Sequence, residues 1–213
     1  MIPPREKVMV AIPSKNSQLD CGCFDGLLRT MDYWSQPLIL GGCSDPGLAR
    51  CKIAHVFVEK ATEFDWLMMI DDDMIFTRED WELLWEGDEL IVCGDYSKKI
   101  LGQRHTGTGL GFTRVHRSVF EMMKDLKTDE GGELVERFYM DGEVLVDYFP
   151  SGTRLMKSRR LGEDQGFFML CSLVTQSMRW EKRTRLGHVG RFVYGYPNQI
   201  PGYEIRNDEE APQ

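Results

Sequence analysis

At 213 residues the chain is long enough for one domain with a sizeable core, and its 42% hydrophobic and 28% charged residues are those of an ordinary globular protein. No apolar run reaches the ~20 residues that span a bilayer, and the short, Pro-containing start leads straight into an apolar run, which is no signal peptide; a soluble, cytoplasmic protein is the expectation. The net charge of -8 argues against nucleic-acid binding by the surface as a whole.

The β-branched, apolar run 8–12 ends at Pro13 and reads as a buried first strand. Helix-like apolar spacing over 26–34 follows, then a second strand at 37–40 stopped by Gly41 and Gly42. Asp45 and Pro46 form a helix-start signal, with Asp as cap and Pro in the first turn, opening a helix to about residue 60. The apolar run 66–70 is a strand that ends abruptly on Asp71, Asp72 and Asp73. A helix at 78–85 and a strand at 89–93 complete an alternation that predicts an α/β sandwich with a mainly parallel central sheet. Beyond it we expect a strand at 110–114, a helix at 115–126, a Gly-rich turn at 129–133 and a strand at 144–149. A basic loop at 151–162, a helix at 163–178, a return to the sheet at 180–194 and a disordered acidic tail at 207–213 finish the chain. The cysteines Cys21, Cys23, Cys43 and Cys51 lack the spacing of a zinc knuckle and read as small thiols in a reducing compartment. Trp81 and Trp85, at i and i+4, read as core packing.

Chemistry concentrates at the three aspartates. In open α/β sheets, ligands bind at the C-terminal ends of the strands. Adjacent carboxylates repel one another unless a cation neutralises them, and in an extended chain Asp71 and Asp73 would point the same way while Asp72 turns aside. Oxygen ligands of this kind suit Mg2+ or Mn2+, which bridge diphosphate oxygens.

The segment WLMMIDDDMIF resembles the DxD segment of GT-A-fold glycosyltransferases, and other segments are similar to that family in the expected order. VMVAIP is similar to its first strand, whose following loop, here Pro13 and Ser14, holds the nucleotide. PGLARCK is similar to its helix with an Arg near the nucleotide, here Arg50. GTGLGFTRVHRSVFEMM resembles the Gly-rich strand and helix beneath the sugar; GEDQGFF resembles the helix start bearing the catalytic carboxylate; LGHVG resembles the late His segment that completes the metal site. The resemblance implies one GT-A catalytic domain over 1–206, with a nucleotide-binding half at about 7–95 and an acceptor-binding half at about 96–206. It implies a metal-dependent glycosyltransferase moving a sugar from a nucleotide-sugar, favouring UDP-sugars and Mn2+ (or Mg2+). Asp71, Asp73 and His188 would hold the metal; Pro13, Ser14, Arg50, Asp72, Gly107 and Gly109 would line the donor site. Gly107, Gly109 and Gly111 would let the backbone approach the sugar without a Cβ. Asp164 would be the general base, with Glu163 beside it orienting its partner or the acceptor. For His188 a packing role stays open, for Glu163 and Asp164 a helix cap, and for Lys98 and Lys99 either a phosphate contact or plain surface.

Residues 151–191 carry nine Lys/Arg against three acids, so Arg159 and Arg160 are expected to face the acceptor. The acceptor would then be a polyanion such as DNA with hydroxymethylated bases, or else a glycan. A haloacid-dehalogenase-like phosphatase using Asp71 and Asp73 is the main enzymatic rival, but its Thr position is held by Ile75. No G-x-G-x-x-G follows the first strand, against a Rossmann oxidoreductase, and PSKNSQ is a poor match to a nucleotidyltransferase loop. A noncatalytic sugar- or nucleic-acid-binding module of the same fold is the alternative from outside enzymes.

Overall fold

The computed structural model describes residues 2–35, 37–97, 106–128, 130–151 and 162–188. Lys98, Lys99, the basic stretch 154–160 with Arg159 and Arg160, and the acidic tail 207–213 lie outside these described residues.

In chain order the elements are β1 (Val8–Ser14), α1 (Cys21–Thr30), β2 (Pro37–Gly41), α2 (Pro46–His55), β3 (Trp66–Ile70), β4 (Met74–Ile75) and α3 (Arg78–Leu84). Then come β5 (Ile91–Ser97), β6 (Thr106–His116), α4 (Arg117–Lys124), β7 (Arg137–Met140), β8 (Glu143–Val146), α5 (Glu163–Val174) and β9 (Met178–His188). The local chemistry explains several starts. Asp45 caps α2 by accepting from the Leu48 amide at 3.0 Å, with Pro46 in the first turn as its sequence predicts. Thr77 and Asp80 close a reciprocal capping box on α3. The helix expected to run to residue 60 changes at His55 into a π-helical turn, Val56–Lys60.

Seven strands form one mixed sheet in the order β2-β1-β3-β6-β5-β9-β4. β1 is parallel to both β2 and β3, and β5 is parallel to β9, whereas β6 runs antiparallel to β3 and β5, and β4 antiparallel to β9. Most strands therefore share one direction, and the antiparallel β6 and β4 are what the helix–strand rhythm did not reveal. This mixed α/β architecture, with its mostly parallel, curled sheet, is compatible with a Rossmann-like or GT-A fold.

Alternation along the strands splits the core in two. Met9 and Ala11 of β1, with Leu67 and Met69 of β3, face a layer built from α2, α4, α5 and the β7–β8 hairpin. Val8, Val10 and Ile12, with Met68 and Ile70, face the layer of α1 and α3, where Trp81 and Trp85 are buried as expected. The hairpin turns on Asp141 and Gly142, both at positive φ (52° and 86°), the two-residue Asp-Gly geometry that the twist of paired strands favours. Its tip is pinned to α2 by Lys52–Asp141 at 2.7 Å and His55–Glu143 at 2.9 Å.

Asp80 joins the second layer to β9. Only 3% exposed, it accepts from the Thr77 amide at 2.9 Å and hydroxyl at 2.8 Å, and its other oxygen accepts from the Arg185 amide at 2.7 Å. Replacing Asp80 with Ala removes its half of the capping box, leaving the Thr77 hydroxyl as the cap, and orphans a strand amide. We expect a loss of roughly 2–3 kcal/mol in unfolding free energy by urea titration, against at most a few tenths for the exposed neighbour Glu79→Ala.

Candidate metal and carboxylate site

The parallel strands end on one edge of the sheet, and β3 delivers Asp71 there. The aspartates do not continue as an extended chain. The Asp71 carbonyl accepts from the Met74 amide at 3.1 Å, so 71–74 form a tight turn, which then leads into β4. Convergence of Asp71 and Asp73 thus comes from a turn rather than from strand alternation, because β4 must double back to reach β9. The same pairing, Met74 opposite His188, carries the late histidine to the aspartates. One ligand atom from each of Asp71, Asp73 and His188 falls within 4.8 Å of the others, and His188 is 6% exposed. Two carboxylates and an imidazole make a mixed oxygen–nitrogen donor set that fits a divalent ion such as Mn2+.

The turn is fixed from behind. The Asp20 amide donates to the Asp72 carbonyl at 2.9 Å, and the Cys23 thiol lies 3.6 Å from the Asp71 carbonyl. Burial, followed by the charges of Asp72, Asp71 and Asp20, pushes the Cys23 thiol up to about 12, so it stays protonated. Gly111 serves the same turn. A Cβ there would sit 2.6 Å from Asp71 Oδ2, and its carbonyl accepts from the Asp71 amide at 2.9 Å. This glycine makes room for the carboxylate, a reason different from the sugar approach its spacing suggested. Gly109, in β6, gives its carbonyl to the Thr113 hydroxyl at 3.1 Å, and Gly107 lies earlier on the same strand.

Facing the aspartates, the start of α5 presents Glu163 and Asp164. Arg50, one turn into α2 and with a side chain only 4% exposed, reaches both groups. Its Nη2 is 2.7 Å from Asp71 Oδ1, and its Nη1 is 3.0 Å from Glu163 Oε1 and 3.6 Å from Asp164 Oδ1. Burial pushes the Asp164 carboxyl up to about 6; Arg50 pulls it down, the charges of Glu163 and Asp71 add to the rise, and the Leu110 amide opposes it. A carboxyl titrating near neutrality is suited to exchange protons with a hydroxyl.

These groups line one open cleft of about 340 Å³, together with Pro13, Ser14, Asp72 and Asp73. The Ser14 hydroxyl is committed locally, donating to the Gln18 carbonyl at 2.9 Å and accepting from the Gln18 amide at 3.1 Å. Lys15 and Ser44 also line the cleft and were not singled out in the sequence. Lys15 could have been, as the residue next to Pro13 and Ser14; Ser44 carries no signal of its own. A larger cavity of about 450 Å³ lies between α2, α5 and the β7–β8 hairpin, walled by Leu48, Phe138 and Phe149. The cluster of five carboxylates with the buried Arg50 lines the smaller cleft, which makes that cleft the candidate site.

No family model matches the chain, and no curated protein matches it. Among solved structures it is similar to A197 from STIV, at 17% identity and a TM-score of 0.57, over 95% of this chain and 99% of that one. That likeness is one of fold. A second structure is a glycosyltransferase involved in the glycosylation of the major capsid of PBCV-1. It aligns over 53% of this chain and 62% of that one, at 13% identity and a TM-score of 0.34, a similarity too partial to bear on function. Among the described residues no helix is long and apolar enough to cross a membrane.

The raised Asp164 carboxyl has a consequence for stability. In the metal-free protein its contribution is present at low pH and is given up as pH rises through about 6, because the folded state binds this proton more tightly than the unfolded chain. Asp164→Asn should therefore melt above the native protein at pH 7.5 by an equivalent of about 1–2 kcal/mol. The difference should shrink towards pH 4, as read by thermal denaturation across that range.

Proposed function

We propose that this chain is a GT-A-type glycosyltransferase that moves a sugar from a nucleotide-sugar donor to an acceptor hydroxyl with the help of a divalent cation, Mn2+ being favoured. The observation that carries this reading is the meeting of Asp71, Asp73 and His188 within 4.8 Å at the strand ends, across one cleft from Asp164. The ordered motifs of the sequence support it, as does the mixed α/β fold. The phosphatase reading is disfavoured by Ile75 at its Thr position and by the place of the aspartates after the third strand, and the binding-module reading by the presence of Asp71, Asp73, Asp164 and His188 together.

Asp71, Asp73 and His188 would hold the cation, which as a Lewis acid would offset charge growing on a diphosphate leaving group. Pro13, Ser14 and Asp72 would border the donor, with the backbone of the loop after β1 rather than the Ser14 hydroxyl offered to it, since that hydroxyl is taken by Gln18. Lys15, exposed at the cleft, would meet donor phosphates. Asp164 would take the proton of the acceptor hydroxyl, with Glu163 orienting the acceptor beside it. Of the expected donor glycines, Gly109 would act by shaping β6 beneath the site.

A thermal-shift screen of nucleotide sugars with and without Mn2+ identifies the donor, because selective binding raises apparent stability. Asp71→Asn and Asp73→Asn are expected to abolish Mn2+-dependent nucleotide binding and transfer with the circular dichroism spectrum unchanged. Near-native turnover at saturating Mn2+ in either variant overturns the metal assignment. Asp164→Asn should keep donor affinity within about twofold and lose roughly 10²–10⁴ in transfer. An equal loss in donor binding would make Asp164 a structural cap instead.

A further inference from the structure

Arg50 was expected to contact the donor, yet its guanidinium is spent on protein. The side chain is 4% exposed, and its two terminal nitrogens reach carboxylates on two different elements, Asp71 at the end of β3 and Glu163 with Asp164 at the start of α5. A planar fork holds two such groups at a fixed spacing, which the point charge of an ammonium does not set. The helices it joins are in close contact, since a Cβ on Gly47 would lie 3.2 Å from the Glu163 Cβ. Resting on the function proposed above, we infer that Arg50 is a positioning residue. It binds the cation-holding Asp71 and the acid pair Glu163–Asp164 into one unit, and its charge holds down the affinity of the site for the divalent ion.

The electrostatics set the sign. Asp71, Asp72, Asp73, Glu163 and Asp164 line one cleft, and Arg50 is the cation buried among them. It offsets part of their negative charge when no ion is bound. An ion at Asp71 must then sit next to a buried positive charge, where screening is weak. A site of this kind holds its ion loosely but holds its carboxylates in register. Removing the guanidinium should therefore tighten ion binding and impair chemistry together. A purely structural residue would weaken both, and a donor contact would leave the ion untouched.

The test uses Mn2+ alone, followed by electron paramagnetic resonance titration of the intact chain. Arg50→Met is expected to bind Mn2+ at least about fivefold more tightly than the native protein. Transfer from the donor found by the screen should fall by ~10² or more through kcat. Arg50→Lys, which keeps the charge but not the fork, should hold Mn2+ within about twofold of native and still lose ~10-fold or more in kcat. Weaker or unchanged Mn2+ binding in Arg50→Met overturns the inference, as does a loss confined to the donor KM, which would return Arg50 to the donor site. A melting cycle on metal-free Arg50→Met, Glu163→Gln and the double variant reads the bridge without any activity. Additive effects sink the bridge itself. A native protein that binds no Mn2+, with the cycle still non-additive, would instead overturn the metal reading and leave the bridge in place.

Discussion

One buried guanidinium among five converging carboxylates is the interaction on which this structure turns. Like charges gathered at a strand end are unfavourable unless something positive joins them. Here α2 supplies that charge from one side, and the turn after β3 takes it up. The need to hold Asp71 in reach of Arg50 accounts for the backbone around it: a turn closed on Met74, a bare Gly111 against the carboxylate, and an Asp20 amide on the next carbonyl. The layers of the fold serve this junction, since α2 and α5 pack on one face of the sheet while α1 and α3 brace the turn from the other.

Burial then gives chemically similar groups different characters. Burial holds the Asp164 proton to about 6 against the pull of Arg50 and of the Leu110 amide. Cys23, beside the same aspartates, is pushed the opposite way from reactivity and serves only as packing. An acid poised near neutrality and an inert thiol thus arise around one acidic turn from differences in solvation and neighbouring charge.

Much of this was legible in the sequence, and the remainder was hidden for identifiable reasons. The run of apolar residues fixes β3 at Trp66–Ile70, and Asp45-Pro46 fixes the start of α2, because both signals are local. Asp71, Asp73 and His188 could be grouped through motif order. The strand that physically joins them, β4, is two residues long, too short for any periodicity to show. Of the hairpin β7–β8 the sequence predicts only one strand, at 144–149, although Asp141-Gly142 marks the turn; β7 is four residues long with Arg137 and Tyr139 exposed, too short for its alternation to stand out. The direction of β6 was invisible, since sequence spacing says where a strand lies and not which way it runs beside its partner. The partners of Arg50 were illegible for the plainest reason: Glu163 is 113 positions away.

The pairing of Met74 with His188 also dictates an order of assembly. The triad draws its histidine from the last described strand and its aspartates from the turn after the third, so closing it requires one of the longest loops in the described chain. Contacts of such sequence separation form late, after local helices and hairpins have shortened the path between them. During synthesis, a nascent chain that has already built β1 to β3 and presents all three aspartates still lacks its imidazole until β9 has emerged. The cation-fitting triad is therefore complete only once β9 has docked, after the acidic turn has formed.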